Sequence, residues 1–256
     1  MSNGQIKHHG NITEKFIWNK DIKMKNIIAV LCWFIPFKNI RHRLKVKYVK
    51  SKRIKYHNNN RIIIHMPNGD TVINPYSIPG LEVSFEGANS TIELFYPIRF
   101  HKSNFMCKDD CSIVIKQSCF MGLTVDMYNN TSVFIDENCQ IGECHVAMPN
   151  EQNTSLHMEP DCVLSTGIEI WTTDAHPIFD MKGKCINNRK SCVKIGRHTW
   201  ICRNATLLKG AQIAPNSIVG HSSVVSSKFT DENVVIAGNP AQIVKHDINW
   251  SGGKID

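Results

Sequence analysis

From Ile195 onward the chain repeats itself every six residues. Ile195, Ile201, Leu207, Ile213, Val219 and Val225 are all aliphatic, and four residues after each of the first five come Thr199, Ala205, Ala211, Ser217 and Ser223, all small. The residues directly after the aliphatic ones (Gly196, Cys202, Leu208, Ala214, Gly220) are mostly small as well. A six-residue unit of this kind is one short strand plus a turn, and three units close a triangular coil of about 18 residues. The aliphatic side chain points into the prism and the small residue lets the chain turn the corner. Each coil stacks on the last at the strand spacing of roughly 4.8 Å. The pattern predicts a mainly β chain folded as a left-handed parallel β-helix, whose crossovers depart from the right-handed rule for parallel strands. Such a scaffold does not by itself fix a function.

Weaker copies of the repeat lie upstream. Ile135 and Ile141 are six apart, with Cys139 and His145 at the small position. Met158, Leu164 and Ile170 form another run, and six residues further on His176 stands in aliphatic register. A histidine there is either a satisfied core residue or one turned outward. Between Asn89 and Met127 the period blurs. Strand-like texture begins near Arg61 and ends near Lys245, which predicts an N-terminal extension over 1–60, a β-helix over 61–246 and a tail over 247–256. The repeat is interrupted once, by an inserted loop near 177–192, and insertions from a solenoid generally map to a functional face.

Of the 256 residues, 42% are hydrophobic and 20% charged, enough apolar material for a core. The longest apolar run, 27–37, contains Pro36 and falls short of the roughly 18 residues a spanning helix needs. The chain therefore reads as soluble, unexported and cytoplasmic. Its ten cysteines are scattered without a Cys-x-x-Cys pair and read as reduced thiols acting as small hydrophobes. The net charge of +8 is local: nine cations fall between Lys38 and Lys55, and no acid occurs from Ile22 to Gly69. The stretch from Thr13 to Lys50 has a helical, basic pattern broken or kinked at Pro36. The bland reading is a helix packed on its own domain with its charges in water. The sharper one is a peripheral contact with an anionic membrane through 27–55, at the inner face. No nucleic-acid partner is expected, since no recognised binding motif accompanies the charge.

The segment Trp171-Thr-Thr-Asp-Ala-His176-Pro-Ile-Phe-Asp180, then Thr199-Trp200-Ile201 and Ala237-Gly-Asn-Pro-Ala241, resembles the hexapeptide-repeat acetyltransferases. Within them it is most similar to bacterial capsule and O-antigen polysaccharide O-acetyltransferases, including those acting on sialic-acid polymers. The resemblance spans about 80–246. It implies acetyl-CoA as co-substrate, a homotrimer with active sites between neighbouring prisms, and a polysaccharide or sugar acceptor. It makes His176 the catalytic base and Trp200, 24 residues later, a wall of the acetyl-CoA and acceptor tunnel. Two departures are Cys202, where the family has Gly after Trp-Ile, and His221, where a small residue usually meets CoA.

Histidine suits this chemistry because it can take a hydroxyl proton near neutral pH. Asp174 or Glu159 is the candidate to orient its ring. Trp171 and Asp174 are candidates to line the acceptor site, with Trp171 as a second flat apolar wall. His221, Ser226, Lys228, Asn239, Pro240 and Lys245 are candidates for the CoA groove, lysines being suited to its phosphates. No metal is expected. Three competing readings carry their own tests: an acetyltransferase for a small acceptor (free sugar, serine, nucleotide-linked amino sugar), a zinc β-helix lyase of carbonic anhydrase type using His145, His157 and His176, and a non-catalytic trimerising scaffold.

Overall fold

A computed structural model describes residues 52–187 and 191–252. Residues 54–75 and 80–252 form one compact unit, the β-helix. The expected helix over 13–50 and most of the basic segment lie outside the described residues.

Three sheets of nine, eight and seven strands make up the described fold. They are named I, II and III, the order in which the coil beginning at Ser112 visits them. One coil runs through Ser112–Ile115 in sheet I, Cys119–Phe120 in sheet II and Leu123–Met127 in sheet III. It returns to sheet I at Ser132–Ile135, paired in parallel with Ser112–Ile115. Coil after coil pairs this way. Antiparallel strands close both ends: Thr71–Ile73 on Arg61–His65, and Ala241–Lys245 on Val235–Gly238. Each covers an edge that would otherwise offer free ladder groups to another chain.

The six-residue register is the inward one. Ile195, Ile201, Leu207, Ile213, Val219 and Val225 are all buried, and so are Thr199, Ala205, Ala211, Ser217 and Ser223 at the corners. Stacks run the length of the prism: Ile64, Leu94, Ile115, Ile135, Met158, Ile195 and Ile213 are consecutive partners in sheet I. Each fully buried aliphatic side chain contributes about 1.5–3 kcal/mol. The upstream period blurs because those coils are longer. Successive partners in sheet III are Val83, Phe105, Val125 and Val146, spaced 20–22 residues apart, whereas Leu207 and Val225 are 18 apart.

Two expectations shift with that lengthening. His145 does not occupy a corner: Gly142 and Glu143 lengthen the turn, Val146 takes the inward place, and His145 faces outward from sheet III. His176 does not occupy the aliphatic register either. After Trp171 the chain leaves the prism, and Ile195 fills the place beside Met158 that His176 would have taken.

The corners are built from residues that tolerate the left-handed backbone region. Asn89, Asp110, Asn130 and Asn153 precede the strands of sheet I at φ between 54° and 62°, and Asn138, Asp161, Asn216 and Asn233 do the same before sheet II. Side-chain amides link some of them from coil to coil, as in Asn130 Nδ2 to Asn153 Oδ1 at 2.7 Å. Five of the described cysteines are buried, but the corner thiols also donate hydrogen bonds. Cys162 Sγ donates to the Glu159 and Gly196 carbonyls, both at 3.2 Å, and Thr199 Oγ1 reaches the same Gly196 carbonyl at 2.6 Å. Cysteine thus stands in for Ser or Thr at these positions.

Candidate active site

The inserted segment leaves the prism between sheets III and I as an arm, with Phe179 and Cys185 forming an antiparallel bridge. Its base is tied down. Thr172, fully buried, meets Thr154 through their hydroxyls at 2.8 Å. Thr173 Oγ1 lies 2.8 Å from Glu151 Oε2 and accepts from the Ala175 N–H at 2.8 Å. Ala175 adopts φ 60°, a conformation costly for a residue with a Cβ. That turn lets the His176 N–H reach back to the Asp174 carbonyl at 2.6 Å and places His176 outside the prism.

His176 opens on a cleft of about 500 Å³ lined by Asn150, Glu151, Gln152, Asn153, Pro177 and Asn187. Its ring makes no hydrogen bond among the described residues, whereas its carbonyl accepts from Asn187 Nδ2 at 3.0 Å. The same Asn187 amide reaches Asp174 Oδ2 at 2.9 Å, and its carbonyl oxygen accepts from the Ile178 N–H at 3.0 Å. Asp174 therefore braces the arm and does not touch the imidazole. Glu159 bonds Lys194 and the Arg197 N–H, away from the arm.

Lys209, one coil below, carries the brace. Ile170 pairs with Leu207, so two residues on Lys209 lies beneath Thr172. Its ammonium donates to Glu151 Oε1 (2.7 Å), Glu151 Oε2 (2.9 Å) and Asp174 Oδ2 (3.0 Å), with the side chain only 9% exposed. Those bonds account for all three of its donors. Burial pushes the Asp174 carboxyl up, but hydrogen bonds from Asn187 and Lys209 and the Lys209 charge hold it below the ordinary aspartate value. Burial pulls Lys209 down, and its two carboxylate partners more than reverse this. The signs bracket the brace. Asp174's contribution is present above its unfolded value of about 4 and is lost as pH falls through its depressed folded value. Lys209's is present below about 10.4 and is lost as pH rises through its raised one. The Tm advantage of wild type over Asp174→Asn is thus expected in full at pH 6 and to shrink progressively as pH falls below about 4, as differential scanning calorimetry would measure. An advantage that grows as pH falls below about 4 would contradict this assignment.

Trp200 lies elsewhere on the β-helix. It stands on the outer face of sheet II, 37% exposed, tilted against Trp250 at 5.9 Å between ring centroids. Trp250 stacks on His198 at 4.3 Å and donates its indole N–H to the His198 carbonyl at 2.9 Å. His198 is itself at φ 53°, at a corner where neighbouring coils use Asp or Asn. The tail is therefore folded back on the prism, with Ile248 N–H bonded to the Asn233 carbonyl at 3.0 Å. These aromatics close one end of a trough of about 1080 Å³ that Arg99, Gln117, Asn138 and Gln140 also line. Sequence reasoning missed Trp250, whose one signal was a lone indole in a polar tail, Asn187 on the returning limb of the arm, and Glu151 and Lys209, whose link exists only once coils stack.

The other candidates fall into separate groups. His221 and the Asn239-Pro240 turn are exposed near the corner between sheets II and III, where the Gly238 N–H reaches Ser223 Oγ at 3.2 Å. Ser226 and Lys228 stand at the corner between III and I, where Lys228 shares a pocket with Asp174, Ser191, Cys192 and Lys209. Lys245 is exposed on the terminal antiparallel strand. Trp171 faces outward from sheet III, its indole N–H on Glu169 Oε2 at 3.3 Å. His145 sits between Asp126 (2.9 Å) and Glu169 (3.1 Å), and His157 stacks on Phe134 in sheet I. His145, His157 and His176 thus occupy three different features of the fold: sheet III, sheet I and the arm. No group of three metal-binding side chains occurs among the described residues.

By repeat and fold this is a hexapeptide-repeat protein of the left-handed β-helix class. A polysialic acid O-acetyltransferase of Neisseria meningitidis is 38% identical over 131 residues, 51% of this chain and 60% of that protein. The chain thus spans less than two thirds of that relative's length. The crystallographic structure of the polysialic acid O-acetyltransferase OatWY superposes with a TM-score of 0.63 at 27% identity, over 78% of this chain and 93% of OatWY. The polySia specific acetyltransferase NeuO shares the fold, with a TM-score of 0.65 at 21% identity, over 77% and 86% of the two chains. No protein-family profile matches the chain.

Proposed function

We propose that this protein transfers an acetyl group from acetyl-CoA to a hydroxyl of a bacterial surface polysaccharide, a sialic-acid-containing polymer first among them. The observation that carries the reading is His176: an imidazole with no competing hydrogen bond among the described residues, held over an open polar cleft by a braced arm. The relatives named above support the acceptor class. His176 takes the acceptor hydroxyl proton as that oxygen attacks the thioester carbonyl. Collapse of the tetrahedral species expels the CoA thiolate, which takes the proton back from the imidazolium. The products are an O-acetyl ester and free CoA, with no covalent enzyme intermediate.

Trp200 and His176 stand on different sides of one protomer, so the site we propose is composite, within a homotrimer. His176 of one copy works opposite the neighbouring copy's Trp200, whose exposed face offers a flat apolar wall. We place the enzyme in the cytoplasm, its basic segment at the inner face of the membrane, a reading supported by the nine cations between Lys38 and Lys55. The test is release of CoA thiol from acetyl-CoA in the presence of a panel of polysaccharides, sialic-acid polymers and small sugars included. Release that depends on one acceptor establishes the transferase, and release with monomers alone moves the acceptor to the small class. No release with any of them overturns the reading. Co-expressed His176→Ala and Trp200→Ala chains, each inactive alone, are expected to regain activity together. Continued inactivity of co-assembled chains would exclude a composite site.

A further inference from the structure

We propose that Lys209 is a positioning residue for His176: its ammonium clamps the two carboxylates at the root of the arm and so fixes where the imidazole stands. The inference rests on His176 as base, but its physical content is separate. An arm inserted at a corner has lost the coil-to-coil ladder that holds every other part of the prism. Trp171 is the last residue before it to pair in parallel, and Ser191 the first after it. Between them lie Ile178, Phe179, Met181 and Ile186, each more than half exposed, so the arm is not held by a buried apolar core of its own. What remains is polar: the hydroxyls of Thr172 and Thr173 bond Thr154 and the Pro149 carbonyl, and the other ties at the root converge on one cation.

The chain of bonds is continuous. Lys209 Nζ donates to Glu151 and Asp174; Asn187 Nδ2 donates to the same Asp174 Oδ2 and to the His176 carbonyl. Asn187 comes from the returning limb of the arm and Asp174 from the departing one. The tie therefore crosses the arm's mouth and ends on the backbone of His176 itself. Glu151 joins from the coil above, where it also meets Thr173 Oγ1 and stands at 3.4 Å from the Asp174 N–H. Three consecutive coils thus meet at one largely covered ammonium. Without it, two carboxylates would face each other across the root and push Asp174 away. A displacement of about 1 Å at a catalytic group lowers turnover by as much as 10²-fold.

The experiment compares Lys209→Met, Lys209→Arg and Asn187→Ala with the wild type and the double variant Lys209→Met/Asn187→Ala. Lys209→Met is expected to lower kcat roughly 10- to 100-fold, with the KM for acetyl-CoA little changed. Lys209→Arg should restore most of the loss, since a guanidinium can also bridge two carboxylates. The double variant should lose less than the product of the single losses, because both residues act on one tie. Hydrogen–deuterium exchange gives a second readout that needs no turnover. Peptides covering 172–187 should exchange faster in Lys209→Met while those covering 191–225 stay protected. Unchanged exchange in the arm, or multiplicative losses in the double variant, would overturn the proposal. If the wild type itself turned over no acceptor, the functional reading would fail while the exchange result still decided whether Lys209 holds the arm.

Discussion

A His176→Ala variant is expected to bind acetyl-CoA as the wild type does and to transfer acetyl groups at least about a hundredfold more slowly. The magnitude follows from the work assigned to the side chain. A sugar hydroxyl is a weak nucleophile until its proton is taken, and a positioned base contributes roughly 10²–10⁴-fold to such a step. Binding should be spared because His176 is exposed on the arm and its ring anchors no neighbour among the described residues. The brace below uses the backbone carbonyl of His176, which alanine retains. Folding should also be unaffected: thermal denaturation of the variant should match wild type within a degree or two. The measurement is thiol release at saturating acceptor, beside acetyl-CoA binding by isothermal titration. A rate within threefold of wild type would remove His176 from the chemistry. A loss of both binding and stability would instead mean the residue is structural.

The parts legible in the sequence were those in which one coil repeats the next. From Ile195 to Val225, each of the first five aliphatic positions is followed by a small corner, and both registers are buried. Upstream, the same architecture is spelled with longer strands, so a fixed step of six drifts off the inward face. That drift put His145 at a corner when it belongs on the outside of sheet III. His176 was legible as a candidate for a different reason, because an insertion breaks the stacking and puts its residues outside the prism. Of its supports only Asp174 was legible, as a candidate to orient the ring, and its partners were not. Glu151, Asp174 and Lys209 are 23 and 35 residues apart in sequence and meet only because coils stack. Trp250 likewise reaches His198 across 52 residues, from a tail with no periodicity to betray it. Periodicity reports what lies within a coil, while a site assembled along the prism axis leaves no spacing signature.

The stacking itself sets the second large effect, at Gly196. This residue ends the strand Ser191–Ile195, and its carbonyl receives Thr199 Oγ1 and the Cys162 thiol, while its N–H bonds the Ile213 carbonyl at 2.8 Å. A Cβ built there would stand 2.6 Å from the Pro215 nitrogen, 2.7 Å from the Ile213 carbonyl oxygen and 2.8 Å from the Ala214 carbonyl carbon. All three are backbone atoms of the next coil, so no rotamer change relieves the clash. One coil must move away from the other, which stretches ladder bonds on both sides of the corner. Gly196→Ala is therefore expected at or beyond the upper end of the roughly 1–3 kcal/mol range for overpacking. In a chain of this size about 3 kcal/mol corresponds to a fall in Tm of roughly 6–12 °C. Gly252→Ala is the control, because its added Cβ meets nothing within 4 Å and its Tm should equal wild type. The comparison separates the cost of the methyl group from that of losing glycine's freedom, since Gly196 does not require a positive φ. Equal melting of the two variants would mean that the coils can part at this corner without cost, against the close backbone approach on which the prism depends.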